Sequence, residues 1–373
     1  MDICLTPTKL SGSVTVPPCK NMQHYELVAA ALAGENICPE EEMSEDIRAT
    51  CCGVKTLLTD RGKTEISCCS SGTTLRLLLP LAMARGGADF VCSEELCARP
   101  LPSYASCEVK NGHIVPKNRL TSGIFPMPGD QSSLFIIGLF YALPLLDGDS
   151  TITFTTPFEE DSEIRMALTI LRAHGIEINL AYNSFVIPGR QKYRPCKLAL
   201  ERDWAAASYF SVLNCLGSKV ELLNMTRPSL QSEGKIEELC RNLPEAVDVY
   251  DIPDLVPSLA LYASLLPNRM TVLYHAGQMR LTENDRLHSV SDTLRDLGAT
   301  VIYTGESLFV FGRDILTGGT VSSRGDQRIA MMAAAAATCC TGKVTIRGAE
   351  CVNRIYPRFF EDLKTLGMKI EVV

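Results

Sequence analysis

Arg280-Leu281-Thr282-Glu283-Asn284-Asp285-Arg286-Leu287 is the stretch from which the fold can be read. Behind it lies an apolar strand pattern, Met270-Thr271-Val272-Leu273-Tyr274. Ahead of it, Leu287, Val290, Leu294 and Leu297 recur at i, i+3, i+7 and i+10, which predicts a helix with one buried stripe. The first N–H groups of a helix lack partners and its dipole is positive there, so Asp, Glu and Asn suit this position. Alone, the stretch reads as a capped surface helix. It gains weight because the same strand–loop–helix junction recurs along the chain.

Six segments share a loop rich in Gly, Ser, Asp or Lys followed by an Ala/Leu-rich helix. They begin near Lys20, Gly72, Gln131, Asp203, Asp254 and Asp326. Each such helix is apolar on nearly all sides, which predicts burial. A short β-branched strand follows five of them clearly: the Val91 region, Thr151–Phe154, Val220–Leu223, Met270–Leu273 and Val344–Ile346. The first is followed only by the weaker Asn36-Ile37-Cys38. An amphipathic helix then runs to a Gly at its end in Asp46–Gly62, Ser162–Gly175, Glu283–Gly298 and Tyr356–Gly367. Between Pro100 and Gly112 the prolines Pro100 and Pro102 resist a helix, so the second unit is shortened there. A last strand, such as Ile176–Asn179 or Met368–Glu371, closes each unit. An internal repeat of this kind predicts an α/β protein of six βαβ-like units, three per domain, with a crossing near Arg194–Asp203.

The chain has 373 residues, 46% of them hydrophobic and 21% charged, enough for two domains with ample cores. Net charge is −7 and no basic stripe is present, which argues against nucleic acid as a partner. No apolar run reaches the length of a membrane span, and Met1-Asp2-Ile3-Cys4 has no signal pattern, so a cytoplasmic location is expected. Of sixteen cysteines, several of them adjacent, most read as small buried hydrophobes in a reducing compartment. Cys97, two residues before Arg99, is the one candidate for a catalytic thiol. No Cys/His pattern has zinc spacing, and neither a metal nor an organic cofactor is expected.

Basic residues cluster at the junctions: Lys20, Arg76, Arg99, Arg286, Arg328 and Arg354. Singly, each reads as a solvated surface charge. Together with six helix N-termini they predict an anion site, because guanidinium forks match carboxylate and phosphate in two-point contact. Asp254 and Glu283 add carboxylates in the same zone, suited to proton transfer beside a bound anion, or simply to capping and charge balance.

These motifs resemble those of the 5-enolpyruvylshikimate-3-phosphate synthases, in the enolpyruvyl transferase superfamily. The resemblance runs the whole length and is carried by Gly72-Thr73-Thr74-Leu75-Arg76, Arg99-Pro100, Ser132-Ser133 and Asp203-Trp204. Ile252-Pro253-Asp254, Glu283-Asn284-Asp285-Arg286-Leu287 and Gly325-Asp326-Gln327-Arg328-Ile329-Ala330-Met331 complete it. It implies a two-domain inside-out α/β barrel, each domain built from three βαβαββ repeats. One domain would be 19–200, the other 1–18 with 201–373, and the active site would lie in the interdomain cleft. It also implies transfer of the enolpyruvyl group of phosphoenolpyruvate to the 5-hydroxyl of shikimate 3-phosphate, by a monomer. By resemblance, Lys20, Asp254 and Glu283 would be catalytic. Lys20, Gly72, Arg99, Arg286, Arg328 and Arg354 would bind phosphoenolpyruvate. Asn21, Tyr25, Ser132, Ser133, Asp254 and Gln278 would bind shikimate 3-phosphate.

The departures lie mostly on the acceptor side. Asn21 replaces a Ser, Tyr25 an Arg, Leu134 a Gln and Thr282 a Lys; Gln327 replaces a His and Arg354 a Lys. Glu163 falls where the family has a Tyr. The alternatives are an enolpyruvyl transferase with another acceptor, and a non-catalytic homologue. Lys20-Asn21 resembles the UDP-N-acetylglucosamine enolpyruvyl transferases, but the loop Cys92–Ala98 lacks their Gly-rich Cys motif.

Overall fold

A computed structural model describes residues 1–40, 43–59, 64–129, 132–281 and 285–373. The chain divides into two compact units, Met1–Pro18 with Glu201–Val373, and Cys19–Leu200. The first unit opens with β1 (Ile3–Thr6) and β2 (Ser11–Val14). The second follows with α1 (Lys20–Leu32), α2 (Glu45–Thr59), β3 (Glu65–Cys69), α3 (Gly72–Arg85), β4 (Asp89–Cys92) and the single turn α4 (Glu94–Cys97). It continues through β5 (Cys107–Lys110), β6 (His113–Pro116), β7 (Ile124–Met127), α5 (Ser133–Ala142), β8 (Ser150–Phe154), α6 (Ser162–Ala173), β9 (Asn179–Ala181) and β10 (Ser184–Ile187). The chain then returns to the first unit with α7 (Trp204–Cys215), β11 (Lys219–Leu222), α8 (Ile236–Arg241), β12 (Ala246–Asp248), α9 (Val256–Ser264) and β13 (Met270–Tyr274). It ends with α10 (Arg286–Asp296), β14 (Thr300–Tyr303), β15 (Leu308–Phe311), β16 (Gly319–Ser322), α11 (Gln327–Ala336), β17 (Val344–Arg347), α12 (Phe359–Thr365) and β18 (Lys369–Val372).

One sheet plan recurs. In β7-β8-β10-β9, the first pair is parallel, and an antiparallel hairpin then adds to its inner strand. The sheets β3-β4-β6-β5 and β12-β13-β15-β14 repeat it. In β16-β17-β1-β18 the place of the last hairpin strand is taken by β1, antiparallel to both β17 and β18. Ile3 and Leu5 are buried in the core of the first unit, which favours holding the N-terminal strand inside the sheet between β17 and β18.

Two repeats are abbreviated. The β2–β11 pair is parallel and has no hairpin added to it. Around α1 and α2, among the described residues, no strand belongs to the repeat itself, and residues 36–38 are irregular. The twelve residues between Leu32 and Glu45, several of them acidic and none alternating in polarity, carry no strand signal. No helix forms between Pro100 and Gly112, as the sequence predicts, and α4 before it is a single turn.

The repeated helices are buried because they pack on one another. Inside α3, Pro80 has no N–H to give the Arg76 carbonyl four residues back. Helix α5 passes at that carbonyl with Gly138: a Cβ there would lie 2.2 Å from the Arg76 oxygen and 3.1 Å from Pro80 Cγ. Only glycine lets the two helices approach this closely. In the first unit the Ala run of α11, Ala333–Ala336, is buried on all sides. Among the described residues, no helix is long and apolar enough to cross a membrane.

Candidate active site

In the first unit, carboxylates at helix starts gather two arginines. Asp203 caps α7, its Oδ1 accepting from Ala206 N at 2.8 Å. Asp326 caps α11 by accepting from Arg328 N at 2.8 Å. Asp285, in the left-handed region at φ +39°, caps α10 through His288 N at 3.0 Å and accepts from Tyr303 OH at 2.9 Å. Asp tolerates this conformation better than most residues, and it sets Arg286 as the first residue of α10. Asp254 lies in the 3-10 turn Pro253–Leu255 that leads into α9.

Arg286 and Arg328 meet on Asp254. Arg286 Nη1 lies 2.8 Å from Asp254 Oδ1, and Arg286 Nε lies 2.6 Å from Asp326 Oδ2. Arg328 Nη2 lies 2.8 Å from Asp254 Oδ2 and 4.0 Å from Asp203 Oδ2. The Arg328 side chain is only 7% exposed. Its Nη1 is buried and has no hydrogen-bond partner among the described residues. A buried guanidinium N–H without a partner costs energy that a bound anionic oxygen would recover. Burial pulls both guanidinium pKa values down. The opposing charges outweigh it, Asp326 and Asp254 for Arg286, and Asp254 and Asp203 for Arg328, so both are held above their ordinary value. Burial pushes the Asp203 carboxyl up, against Arg328 and the amide of Ala206. Arg354 Nη1 lies 3.5 Å from the carbonyl of Gly325, next to Asp326. Gln278 is exposed and donates to the Tyr250 carbonyl at 2.7 Å. Glu283 lies outside the described residues, as do Thr282 and Asn284.

In the second unit, Lys20 is the first residue of α1 and forms an ion pair with Asp46 in the first turn of α2. Gly72 opens α3, which Ser71 caps through Thr74 N. A Cβ on Gly72 would lie 2.5 Å from Arg76 Nη1 and 3.2 Å from Arg99 Nη1. The glycine therefore leaves room for two like charges at one helix start. Burial first, and then Arg99, bring the Arg76 pKa down to about 10, while its guanidinium stands 5.2 Å over the Phe135 ring. Two cations crowded at a positive helix end call for an anion.

Ser132 stands at the N-cap position of α5 without a side-chain cap bond, and Ser133 donates to Asp161, which itself caps α6 through Ile164 N. Three departures from the family pattern meet: Asn21 Nδ2 donates to Glu163 Oε1 and Tyr25 OH donates to Glu163 Oε2, each at 2.5 Å. Burial and then Glu163 push the Tyr25 hydroxyl well up. Beneath them, His24, Thr50, Thr74 and Ser71 form a hydrogen-bonded chain tying α1, α2 and α3 together. Burial, then Lys20, hold the His24 pKa down.

Within each unit, then, contacts join the expected residues to groups the sequence left outside the predicted site. These are Asp46, Asp161, Asp203 and Asp326, all acidic residues at helix starts: Asp46 pairs with Lys20, Asp161 accepts from Ser133, and the caps Asp203 and Asp326 stand against Arg328 and Arg286. Cys97 fits a catalytic thiol poorly, because burial and Cys92 push its thiol up. All sixteen cysteines are unbridged, and only seven of them are buried, so the expectation of buried hydrophobes fails for the rest, which are half-buried or exposed.

Known proteins are similar to this one over nearly the whole chain. The 3-phosphoshikimate 1-carboxyvinyltransferase of Clostridium kluyveri is 33% identical over 418 aligned positions, covering 99% of this chain and 98% of its own. That of Clostridium acetobutylicum is 34% identical, covering 97% and 96%. The fold is that of solved two-domain structures. An EPSP synthase from Acinetobacter baumannii superposes with a TM-score of 0.79 at 19% identity over the full length of both chains. The enolpyruvyl transferase NikO from Streptomyces tendae gives 0.72 at 18% identity, covering 99% of this chain and 98% of its own. The family of EPSP synthases (3-phosphoshikimate 1-carboxyvinyltransferases) matches residues 5–363. With the repeated sheets, the arginine pair and this full-length likeness together, the chain belongs to the EPSP synthase family.

Proposed function

We propose that this enzyme transfers the enolpyruvyl group of phosphoenolpyruvate to the 5-hydroxyl of shikimate 3-phosphate and releases phosphate, as a cytoplasmic monomer. Family membership supports the reaction. The buried, unpartnered Nη1 of Arg328 beside the Arg286–Asp254 pair is the observation that carries the site assignment. In this reading Arg286 and Arg328 grip the carboxylate of phosphoenolpyruvate, with Arg354 nearby. Lys20 and Arg99 hold its phosphate, and Gly72 keeps the α3 start open to it. Ser132 and Ser133 take the phosphate of shikimate 3-phosphate, with Asn21, Tyr25 and Gln278 on its ring side.

The chemistry is addition followed by elimination. Proton delivery to the methylene carbon makes C2 of phosphoenolpyruvate electrophilic and the acceptor hydroxyl adds there, losing its proton; the new methyl carbon then gives up a proton as phosphate leaves, and the carbon–carbon double bond re-forms. Lys20 and Glu283 are assigned to the methylene proton and Asp254 to the hydroxyl proton. Both Asp254 oxygens are held by arginines. A substrate carboxylate that takes over those guanidinium groups frees Asp254 to accept the hydroxyl proton, so binding and base activation are coupled. The test is phosphate release from phosphoenolpyruvate with shikimate 3-phosphate as acceptor. Steady release supports the reading; none at millimolar substrates, in enzyme that is folded by circular dichroism, overturns it.

A further inference from the structure

The sheet β3-β4-β6-β5 presents a second polar cluster, remote in role from the arginines. The β3–β4 ladder sets Glu65 beside Asp89, and the β4–β6 ladder sets Val91, two residues on from Asp89, opposite His113. Strand alternation therefore puts Glu65, Asp89 and His113 on one face, while Ile66, Phe90 and Ile114 are buried on the other. One ligand atom from each of the three lies within 4.8 Å of the others. His113 Nδ1 is 2.9 Å from Asp89 Oδ1. A cavity of about 430 Å³ opens beside them, lined by Asp89, His113, Glu108, Lys110, Asn111 and Lys117 among others.

We propose that Glu65, Asp89 and His113 bind a divalent transition-metal ion that fastens β3, β4 and β6 together. Two carboxylates and one imidazole supply oxygen and nitrogen donors suited to manganese- or zinc-like ions. They come from adjacent paired strands, so little order is lost on binding. One imidazole cannot neutralise two carboxylates, which leaves negative charge for a cation to meet. Of the neighbouring charges, Lys117 is paired with Glu108 at 2.5 Å. Lys110, opposite His113 in the β5–β6 ladder, is the cation that competes with the ion.

Manganese(II) is the probe, because it favours carboxylate and imidazole over the sixteen cysteines. The full-length protein, stripped with chelator and desalted, is titrated while free Mn²⁺ is followed by electron paramagnetic resonance. The expected result is one bound equivalent with a Kd below about 1 mM. His113→Ala and Glu65→Gln should each weaken it about tenfold or more, and Lys110→Gln should tighten it. Glu108→Gln, on the same cavity but not a ligand, should change it less than threefold. Absence of binding at 1 mM Mn²⁺, or unchanged affinity in both ligand variants, overturns the proposal.

Discussion

Replacing Arg286 by Ala tests the central assignment. Its guanidinium makes two short ion pairs, to Asp254 and Asp326, and its side chain is 14% exposed. Removal does not strand either carboxylate completely. Asp326 keeps the amide of Arg328, and Asp254, 31% exposed, keeps the Arg328 side chain. The stability loss should therefore fall below the 3–5 kcal/mol of a fully broken buried pair, at about 1–3 kcal/mol. Binding should suffer separately. A charged hydrogen bond to a substrate carboxylate contributes about 1.5–3 kcal/mol, so the Kd for phosphoenolpyruvate should rise about 10- to 150-fold. Arg286→Lys keeps the charge but cannot reach both carboxylates with a fork, and should fall between the two. Urea unfolding measures the first quantity and isothermal titration calorimetry the second. If Arg286 merely starts a surface helix, both would barely move, stability within about 0.5 kcal/mol and affinity within twofold. Either outcome in binding is decisive, since phosphoenolpyruvate affinity unchanged in a folded Arg286→Ala protein refutes the assignment.

Gly72→Ala places a methyl group 2.5 Å from Arg76 Nη1 and 3.2 Å from Arg99 Nη1. These are the ends of flexible side chains, so the fold should survive with a Tm change of a few degrees. The displaced arginines should raise KM for phosphoenolpyruvate about tenfold; an unchanged KM would show that they do not hold the substrate. His174, fully buried, donates from Nδ1 to the Arg194 carbonyl (2.8 Å) and, when protonated, from Nε2 to Glu26 (3.1 Å). Burial lowers its pKa, but Glu26 and the Arg194 carbonyl outweigh that and leave it raised. The stability it adds is thus complete below about pH 6.5 and lost as pH rises through the raised value. Wild-type protein should lose unfolding free energy as pH rises above about 6.5 that His174→Gln does not lose; parallel pH profiles would contradict this.

Much of the fold was legible because buried helices and β-branched strands leave a period in the sequence. The buried helices at Gly72, Asp203 and Asp326 start within a residue of the expected positions. What hid the abbreviated repeats was the lack of any strong signal in a missing strand: residues 36–38 hold one Ile between polar and small neighbours, too little to decide pairing. The cations of the site were readable because Arg at a recurring junction is conspicuous. Their counter-ions were not, since Asp203 and Asp326 serve as helix caps as well, and a cap needs no further explanation from sequence. The Glu65–Asp89–His113 face depended on strand register across three segments, a long-range property that local pattern does not carry.

Asn21, Tyr25 and Glu163 bear most directly on whether the acceptor side has decayed or been rebuilt. Each departs from the family pattern, and in sequence they look like independent losses, with Glu163 far from the other two. In the structure they are one set, both Glu163 oxygens receiving a hydrogen bond from α1. A buried Tyr without its partner, or a carboxylate placed here without donors, would cost about 1–3 kcal/mol. Random loss leaves such groups behind, whereas here each change satisfies another. Lys20, on the same turn as Asn21, keeps its own ion pair to Asp46. The arrangement is that of a site whose substitutions have adjusted to one another. In the proposed site a held carboxylate thus stands against Tyr25, where the family pattern has an Arg, so shikimate 3-phosphate would depend more on Ser132 and Ser133 than where that Arg is kept.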